Sequence, residues 1–403
     1  MSDTATRPGT VLPDVFLRQG ADRRALSGGP WIYSNEVRLD DAAKAIEPGT
    51  AVCVRRADGK PVGAGTFNSH SLIALRLYAP EARALDQALF EERIRRALAI
   101  RERLFKAPHY RLIHAEADGL PGRVIDRFGD VCVVQPNTRA MDQRTSAIVA
   151  ALDAVIGPAT VLVRADSPSR AQEGLEPRHD FARGQLDGAI DVIEESGTFR
   201  ADPAGGQKTG WYFDQRGSRQ FVQRLVARAS VLDLFCHSGG FALAAARAGA
   251  SATLGIDSSA AALGLAVEAA ERHGVGKAQV EWQRADAFNA LERLATEGRT
   301  FDVVVADPPA FVKSKRDLAT GLKGYRKLAR MAAGRVAPGG FLFIASCSHN
   351  VAADAFAAEV AIGLNRAGRQ SRVLRTGGAG ADHPVHPQLP ESAYLKTLTL
   401  ALD

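Results

Sequence analysis

Over the C-terminal half of the chain, short apolar runs alternate with segments of helical period. Val231–Phe235 is bounded by turn formers and too short for a buried helix, so it reads as a core strand of a parallel sheet. Ser238-Gly239-Gly240 turns the backbone, an alanine-rich helical stretch follows, and a second apolar run ends in Asp257. The alternation continues with a helix over Ser259–His273, a strand over Val280–Gln283 and a strand over Phe301–Ala306. A helix over Lys323–Val336 is expected to stop at Pro338-Gly339-Gly340. Strands over Phe341–Ser346 and Tyr394–Leu400 close the pattern. Strand and helix in regular alternation predict an α/β fold with a mostly parallel sheet.

The N-terminal half has a different pattern. Thr50–Arg56, Pro61–Phe67 and Leu72–Leu77 are short β runs, the first two joined across Asp58-Gly59 as in a hairpin, and the segment is glycine-rich as small barrels are. Asp86–Lys106 carries Phe90, Ile94 and Leu98 at helical spacing, with its arginines on what should be a solvated face. Two β runs within Leu112–Asp130, a strand over Val131–Gln135, a helix over Asp142–Ile156 and a strand over Thr160–Arg164 form a small α/β domain, which Glu173–Gly188 leaves as a loop or hairpin. The expected boundaries are residues 1–82, 83–190 and 191–403.

Composition changes little in this picture. At 403 residues, 46% hydrophobic and 24% charged, the chain is an ordinary globular protein long enough for two or three domains. It contains no apolar run of membrane-spanning length and no signal-peptide core, so a cytoplasmic location is expected. Lys plus Arg exceed Asp plus Glu by 51 − 45 = 6, which suits a polyanionic partner without requiring one. The four cysteines, Cys53, Cys132, Cys236 and Cys347, form no C-x-x-C pair. No metal site is expected, and a cysteine that matters must act singly.

The candidate chemistry lies at predicted strand ends. The turn after Val231–Phe235 lacks the G-x-G-x-x-G spacing that serves a pyrophosphate, while Asp257 sits where an open α/β sheet places an acid against a ribose. A nucleoside without phosphate, such as S-adenosylmethionine, fits. Asp286 follows another strand and is placed to reach an adenine amino group. Asp307-Pro308-Pro309 ends a further strand, where the prolines stiffen the loop so that a planar amide-like edge can be held beside Asp307. Cys347 ends the next, on the same edge, where a thiolate could attack a base. The polar and aromatic stretch Asp191–Gln220 is expected to wrap over the pocket as a lid. Near the N-terminus, Arg23, Arg24 and Trp31 combine charge and stacking surface suited to RNA, though Trp31 equally suits a barrel core.

These acids and the Pro-Gly-Gly turn resemble a class I S-adenosylmethionine-dependent methyltransferase. Gly29–Glu36, Ala115–Phe128, Lys208–Arg216, Leu234–Phe241, Asp307–Phe311, Ser346–Ser348 and Ala381–Pro384 extend the likeness to nearly all of residues 15–400: the chain resembles the bacterial large-subunit ribosomal RNA cytosine-5 methyltransferases of the I type. The resemblance implies a small β-barrel, PUA-like domain, then a small α/β, RRM-like domain, then a Rossmann-like catalytic domain. It implies transfer of a methyl group from S-adenosyl-L-methionine to carbon 5 of a cytidine in ribosomal RNA. Cys347 and Asp307 would be catalytic. Asp233, Phe235, Ser238, Gly239, Gly240, Asp257, Ser258, Asp286, Ala287, Asp307, Lys208, Tyr212, Asp214 and Gln215 would hold the donor. Pro308, Pro309, Phe311, Lys313 and His383, with Arg23, Arg24 and Trp31, would meet RNA. Many RNA cytosine-5 methyltransferases carry a second cysteine after the two prolines, where this chain has Ala310. Methylation of a base nitrogen or of guanine without a covalent step, or a non-catalytic RNA-binding role, stay open on the residues alone. So does a homodimer.

Overall fold

The computed structural model describes residues 12–207, 209–276 and 279–403, so Lys208 lies outside the described residues. They form two compact units, one holding the chain up to Leu186 with Pro384–Pro390, the other Asp187–His383 with Glu391–Asp403.

The first unit contains two sheets. Strands β1 (Asp14–Phe16), β2 (Trp31–Ile32), β3 (Thr50–Arg55), β4 (Pro61–Phe67) and β5 (Leu75–Ala79), with short helices α1 (Arg23–Leu26) and α2 (Asp41–Lys44), make a sheet of order β1-β3-β4-β5-β2. The β3–β4 hairpin turns at Gly59, whose φ of 86° needs a residue without a Cβ. Val15, Leu17, Ile32, Val52, Val54, Phe67 and Leu75 form its core. Helix α3 (Gln87–Leu104) starts at Asp86, whose carboxylate accepts the Leu89 N–H at 3.0 Å, and buries Leu89, Phe90 and Ile94. One arginine departs from the expected solvated face: Arg101 is buried and forms two 2.7 Å bonds to the Asp118 carboxylate. A pairing 17 residues away satisfies the guanidinium, and helical periodicity carries no trace of it.

Beyond α3, β6 (His109–His114), β7 (Arg123–Phe128), β8 (Val131–Pro136), helices α4 (Arg139–Gln143) and α5 (Thr145–Val155), β9 (Thr160–Ala165) and β10 (Arg178–Arg183) give the order β10-β9-β8-β7-β6. The Glu173–Gly188 stretch thus contributes a fifth strand. It is an exposed edge with little hydrophobic signal. Glu173 ties the two sheets together by accepting from Asn68 Nδ2 at 2.8 Å and Ser71 Oγ at 3.1 Å.

The second unit opens with a hairpin, β11 (Ile190–Glu194) and β12 (Gly197–Ala201), and helix α6 (Arg216–Val222). Strands β13 (Ser230–Leu234), β14 (Ala252–Asp257), β15 (Val280–Arg284), β16 (Phe301–Ala306), β17 (Val336–Ser346), β18 (Ser371–Gly377) and β19 (Lys396–Leu402) follow. They alternate with helices α7 (Gly240–Arg247), α8 (Ala260–Arg272), α9 (Ala287–Thr296), α10 (Leu318–Ala333) and α11 (Ala353–Arg366). The sheet order is β15-β14-β13-β16-β17-β19-β18, parallel from β15 to β17 and antiparallel at β19 and β18. Chain direction across the sheet reverses between β13 and β16, the switch point at which open α/β sheets bind ligands. Pro338-Gly339-Gly340 does not stop a helix: α10 ends at Ala333, and the three residues lie within β17, where register slips between the Phe301–Val336 and Val303–Phe341 pairs. A bulge accepts a proline and glycines that a regular ladder would not. No helix among the described residues is long and apolar enough to cross a membrane.

Candidate active site

The turn after β13 is strained. Phe235 (φ 61°) and His237 (φ 51°) occupy the left-handed region without being glycine, and Gly239 (φ 79°) joins them. A non-glycine residue there costs roughly 1–3 kcal/mol and persists where the surroundings hold it. Here Asp257 braces His237, one oxygen accepting the His237 N–H at 2.8 Å while the other accepts the Ser259 N–H at 2.8 Å. A Cβ on Gly239 would lie 2.5 Å from the Trp282 ring, so tryptophan packing needs this glycine. Ser238 is fully buried, and Gly240 starts α7.

Asp233, 1% exposed, lies beneath this turn. Its Oδ2 accepts the Ala242 N–H at 2.9 Å, whereas Oδ1 is buried with no hydrogen-bond partner. Burial pushes its carboxyl well above the usual range, and the charges of Asp307 and Asp257 push the same way. An unsatisfied buried acceptor amid three carboxylates, beside a strained glycine turn, fits a cationic ligand. S-adenosylmethionine, with an ammonium and a sulfonium, is one. Asp257, at the end of β14, and Asp233 are the acids that could hold it. Asp286, expected at the adenine, is exposed and caps α9, one oxygen accepting from Phe288 and Asn289 N–H at 2.9 and 3.0 Å. Ser258 is exposed and Ala287 buried on α9.

The stretch expected as a hairpin or lid is largely folded. Its first part is the β11–β12 hairpin, and Trp211 stacks on Phe199 at 4.8 Å. Glu194, which the sequence did not single out, organises the segment. It accepts from Trp211 Nε1 at 2.8 Å and from Arg219 through two bonds of 3.0 and 2.7 Å. Tyr212 is turned toward the site, edge-on to the His237 ring at 5.1 Å. Burial raises its phenol pKa, and the charges of Asp214, Asp307, Cys347 and Asp257 raise it further. The Tyr212 ring thus packs on the turn after β13 and feels the charges of Asp307 and Cys347. Asp214 and Gln215 are buried, and Asp214 accepts from Tyr394 Oη at 2.5 Å.

Cys347 follows β17, half-buried, with its Sγ 4.0 Å from the Pro308 carbonyl. Asp307 follows the adjacent parallel strand, so both strand ends reach one edge. The two loops are laced together by Ser348 Oγ, which accepts the Val312 N–H at 3.2 Å and lies 2.8 Å from Tyr325 Oη. The Phe311 ring packs on Tyr325 at 4.7 Å. Pro308 is buried, while Pro309 and Lys313 are exposed. Tyr325 on α10 and Lys396 on β19 were not read from the sequence; Lys396 Nζ donates to the Ser348 carbonyl at 2.6 Å. His383 is buried beside Asp382, its Nδ1 2.9 Å from the carboxylate, as suits a loop anchor.

The remaining cysteines are buried. Burial pushes the Cys236 thiol well up and Cys132 to about 12, which disfavours the reactive thiolate. In the first unit, Arg23 and Arg24 are exposed, Arg24 lying over Tyr33 at 4.9 Å. Trp31 is half-buried: its Nε1 donates to Glu116 at 2.8 Å, and Arg76 lies 5.6 Å over its ring.

The S-adenosylmethionine-dependent methyltransferase family matches residues 131–399 and the PUA-like domain matches residues 15–80. The ribosomal RNA large subunit methyltransferase I of Shewanella denitrificans is 36% identical over 95% of this chain and 98% of its own length. That of Klebsiella pneumoniae strain 342 is 34% identical over 96% of this chain and 98% of its own. Among solved structures, a Streptococcus mutans protein assigned as a SAM-dependent methyltransferase shares the fold with a TM-score of 0.82 at 20% identity, covering 97% of this chain and all of the other. A methyltransferase fold solved with SAH gives 0.83 at 20% identity, with the same coverage. With the strained glycine turn, the acids at the switch point and the PUA-like match in place, the chain belongs to the S-adenosylmethionine-dependent methyltransferases, in the ribosomal RNA large subunit methyltransferase I family.

Proposed function

We propose that the protein methylates carbon 5 of a cytidine in large-subunit ribosomal RNA through a covalent bond from Cys347. The names of its relatives support the RNA, and the position of Cys347 at a strand end beside Asp307 supports the chemistry. Bound S-adenosylmethionine supplies an electrophilic methyl group. Carbon 5 of cytosine is a poor nucleophile, so the Cys347 thiolate first bonds to carbon 6 and the electrons of the 5,6 double bond move toward carbon 5 and the ring. Asp307 holds the N3 and amino edge as charge develops there. After methyl transfer the C5 proton leaves to a base, the C6–S bond breaks and the double bond re-forms, which returns the thiolate.

In this reading Asp233, Asp257, Tyr212 and the Phe235–Gly240 turn hold the donor. Pro308, Pro309, Phe311 and Lys313 shape the base pocket, which a flipped, unpaired base would enter at a cost of a few kcal/mol. The PUA-like sheet with Arg23 and Arg24 and the RRM-like sheet are assigned to RNA contact, in the three-part division 1–82, 83–190 and 191–403. Cys347→Ala should abolish methylation of ribosomal RNA while calorimetry shows donor binding intact, and RNA containing 5-fluorocytidine should trap the wild-type protein as an adduct. Near-normal turnover of the alanine variant would favour transfer to a base nitrogen instead.

A further inference from the structure

A lysine is an unusual residue to bury in the strand next to a reactive cysteine. Lys396, 9% exposed, lies on β19 in antiparallel register with Ser346, one residue before Cys347. Its ammonium donates to the Ser348 carbonyl at 2.6 Å and to the Tyr394 carbonyl at 2.8 Å. Ser348 is the residue after Cys347, so the lysine grips the cysteine loop from the adjoining strand.

We propose that Lys396 is the positioning residue of the cysteine: its two bonds fix the loop that presents Cys347, and its buried positive charge favours the thiolate. This deepens the reading of Cys347 as nucleophile and rests on it. The groups facing Cys347 come from several elements. Asp307 at the end of β16 carries a charge that opposes ionisation, and the phenols of Tyr212 and Tyr325, on which the Cys347 charge acts, are neutral at physiological pH. His349, two residues on, is exposed and stacked on Tyr394 at 5.0 Å. Against the acid, Lys396 supplies positive charge inside the fold, where screening by water is weak. Burial lowers the lysine pKa, and the Cys347 charge raises it. By linkage, the lysine charge then lowers the thiol pKa by the same interaction. The sequence could not suggest this, because Lys396 lies 49 residues beyond the cysteine in an alternating strand where a lysine reads as solvent-facing.

The test is the pH dependence of iodoacetamide alkylation of Cys347 in the full-length protein, followed by mass spectrometry of the Cys347 peptide. Lys396→Gln removes the charge but keeps an N–H donor, and the thiol midpoint should rise by about one pH unit, a roughly tenfold loss of thiolate near pH 7. Methylation kcat should fall with it and recover at higher pH, with donor affinity unchanged. Lys396→Arg, which keeps the charge, should hold the midpoint near wild type. A folded glutamine variant with a wild-type midpoint overturns the proposal. Should the glutamine variant fail to fold, the wild-type midpoint decides: a value at or above the ordinary thiol figure of about 8.5 overturns the proposal, and a lower one supports it. The two readings fail separately. If Cys347→Ala methylates normally while Lys396→Gln still shifts the thiol, the nucleophile assignment has failed and the pairing stands.

Discussion

Arg219→Ala tests how the aromatic segment beside the turn after β13 is held. In the wild type the guanidinium makes two bonds to Glu194 at 3.0 and 2.7 Å and one to the Tyr212 carbonyl at 3.0 Å, and lies 4.7 Å over the Trp211 ring. Both partners are buried, Glu194 having no exposed side-chain surface. Alanine leaves the carboxylate with the Trp211 N–H at 2.8 Å, Ser196 Oγ at 3.3 Å and Arg216 at 3.6 Å. Removing one partner of a buried ion pair costs about 3–5 kcal/mol when the other charge is left uncompensated, and the remaining Arg216 places the cost near the lower end. For a unit of this size the melting temperature should fall by roughly 10 °C. Differential scanning calorimetry with and without S-adenosylmethionine measures it. Because Tyr212 loses an anchor, donor affinity should fall as well. The double variant Glu194→Leu/Arg219→Met removes both charges and should melt well above Arg219→Ala. A drop below about 2 °C for Arg219→Ala, or a double variant no better than the single, would refute the reasoning.

Two further outcomes concern the turn after β13 and the acid beneath it. Gly239→Ala places a methyl 2.5 Å from Trp282 at a φ of 79°, so stability should fall by about 1–3 kcal/mol in urea unfolding and donor affinity should drop at least tenfold in calorimetry; near-wild-type values for both contradict the packing argument. Asp233 has a carboxyl pKa raised by burial in the folded protein, so its contribution to stability is full below the unfolded value of about 3.9 and is lost as pH rises through the folded value. A cationic donor favours the carboxylate, so binding should release a proton. Below the folded carboxyl pKa the calorimetric binding enthalpy should vary with the ionisation enthalpy of the buffer, and Asp233→Asn should remove that dependence.

Much of the catalytic sheet was legible in the chain. Buried parallel strands are short apolar runs, and their acidic and cysteine ends stand out against them, so Asp257, Asp307 and Cys347 could be placed on one edge before any coordinates. The errors have physical causes. Pro338-Gly339-Gly340 punctuates a helix and a bulge alike, and only the neighbouring strand decides which. Strands β10 and β18 lie at sheet edges with exposed, charged residues, and their pairing comes from the neighbour rather than from their own pattern.

The sequence by itself determined the period of each segment and the residue types at strand ends, because these follow from local chain geometry and from apolar side chains leaving water. Pairings across long separations belonged to tertiary structure. Glu194 with Arg219, Ser348 with Tyr325, Asp214 with Tyr394 and Lys396 with the cysteine loop join residues between 23 and 180 positions apart. A buried polar group must find its partner wherever the packed fold brings one, and nothing in the spacing of the two residues along the chain records that meeting.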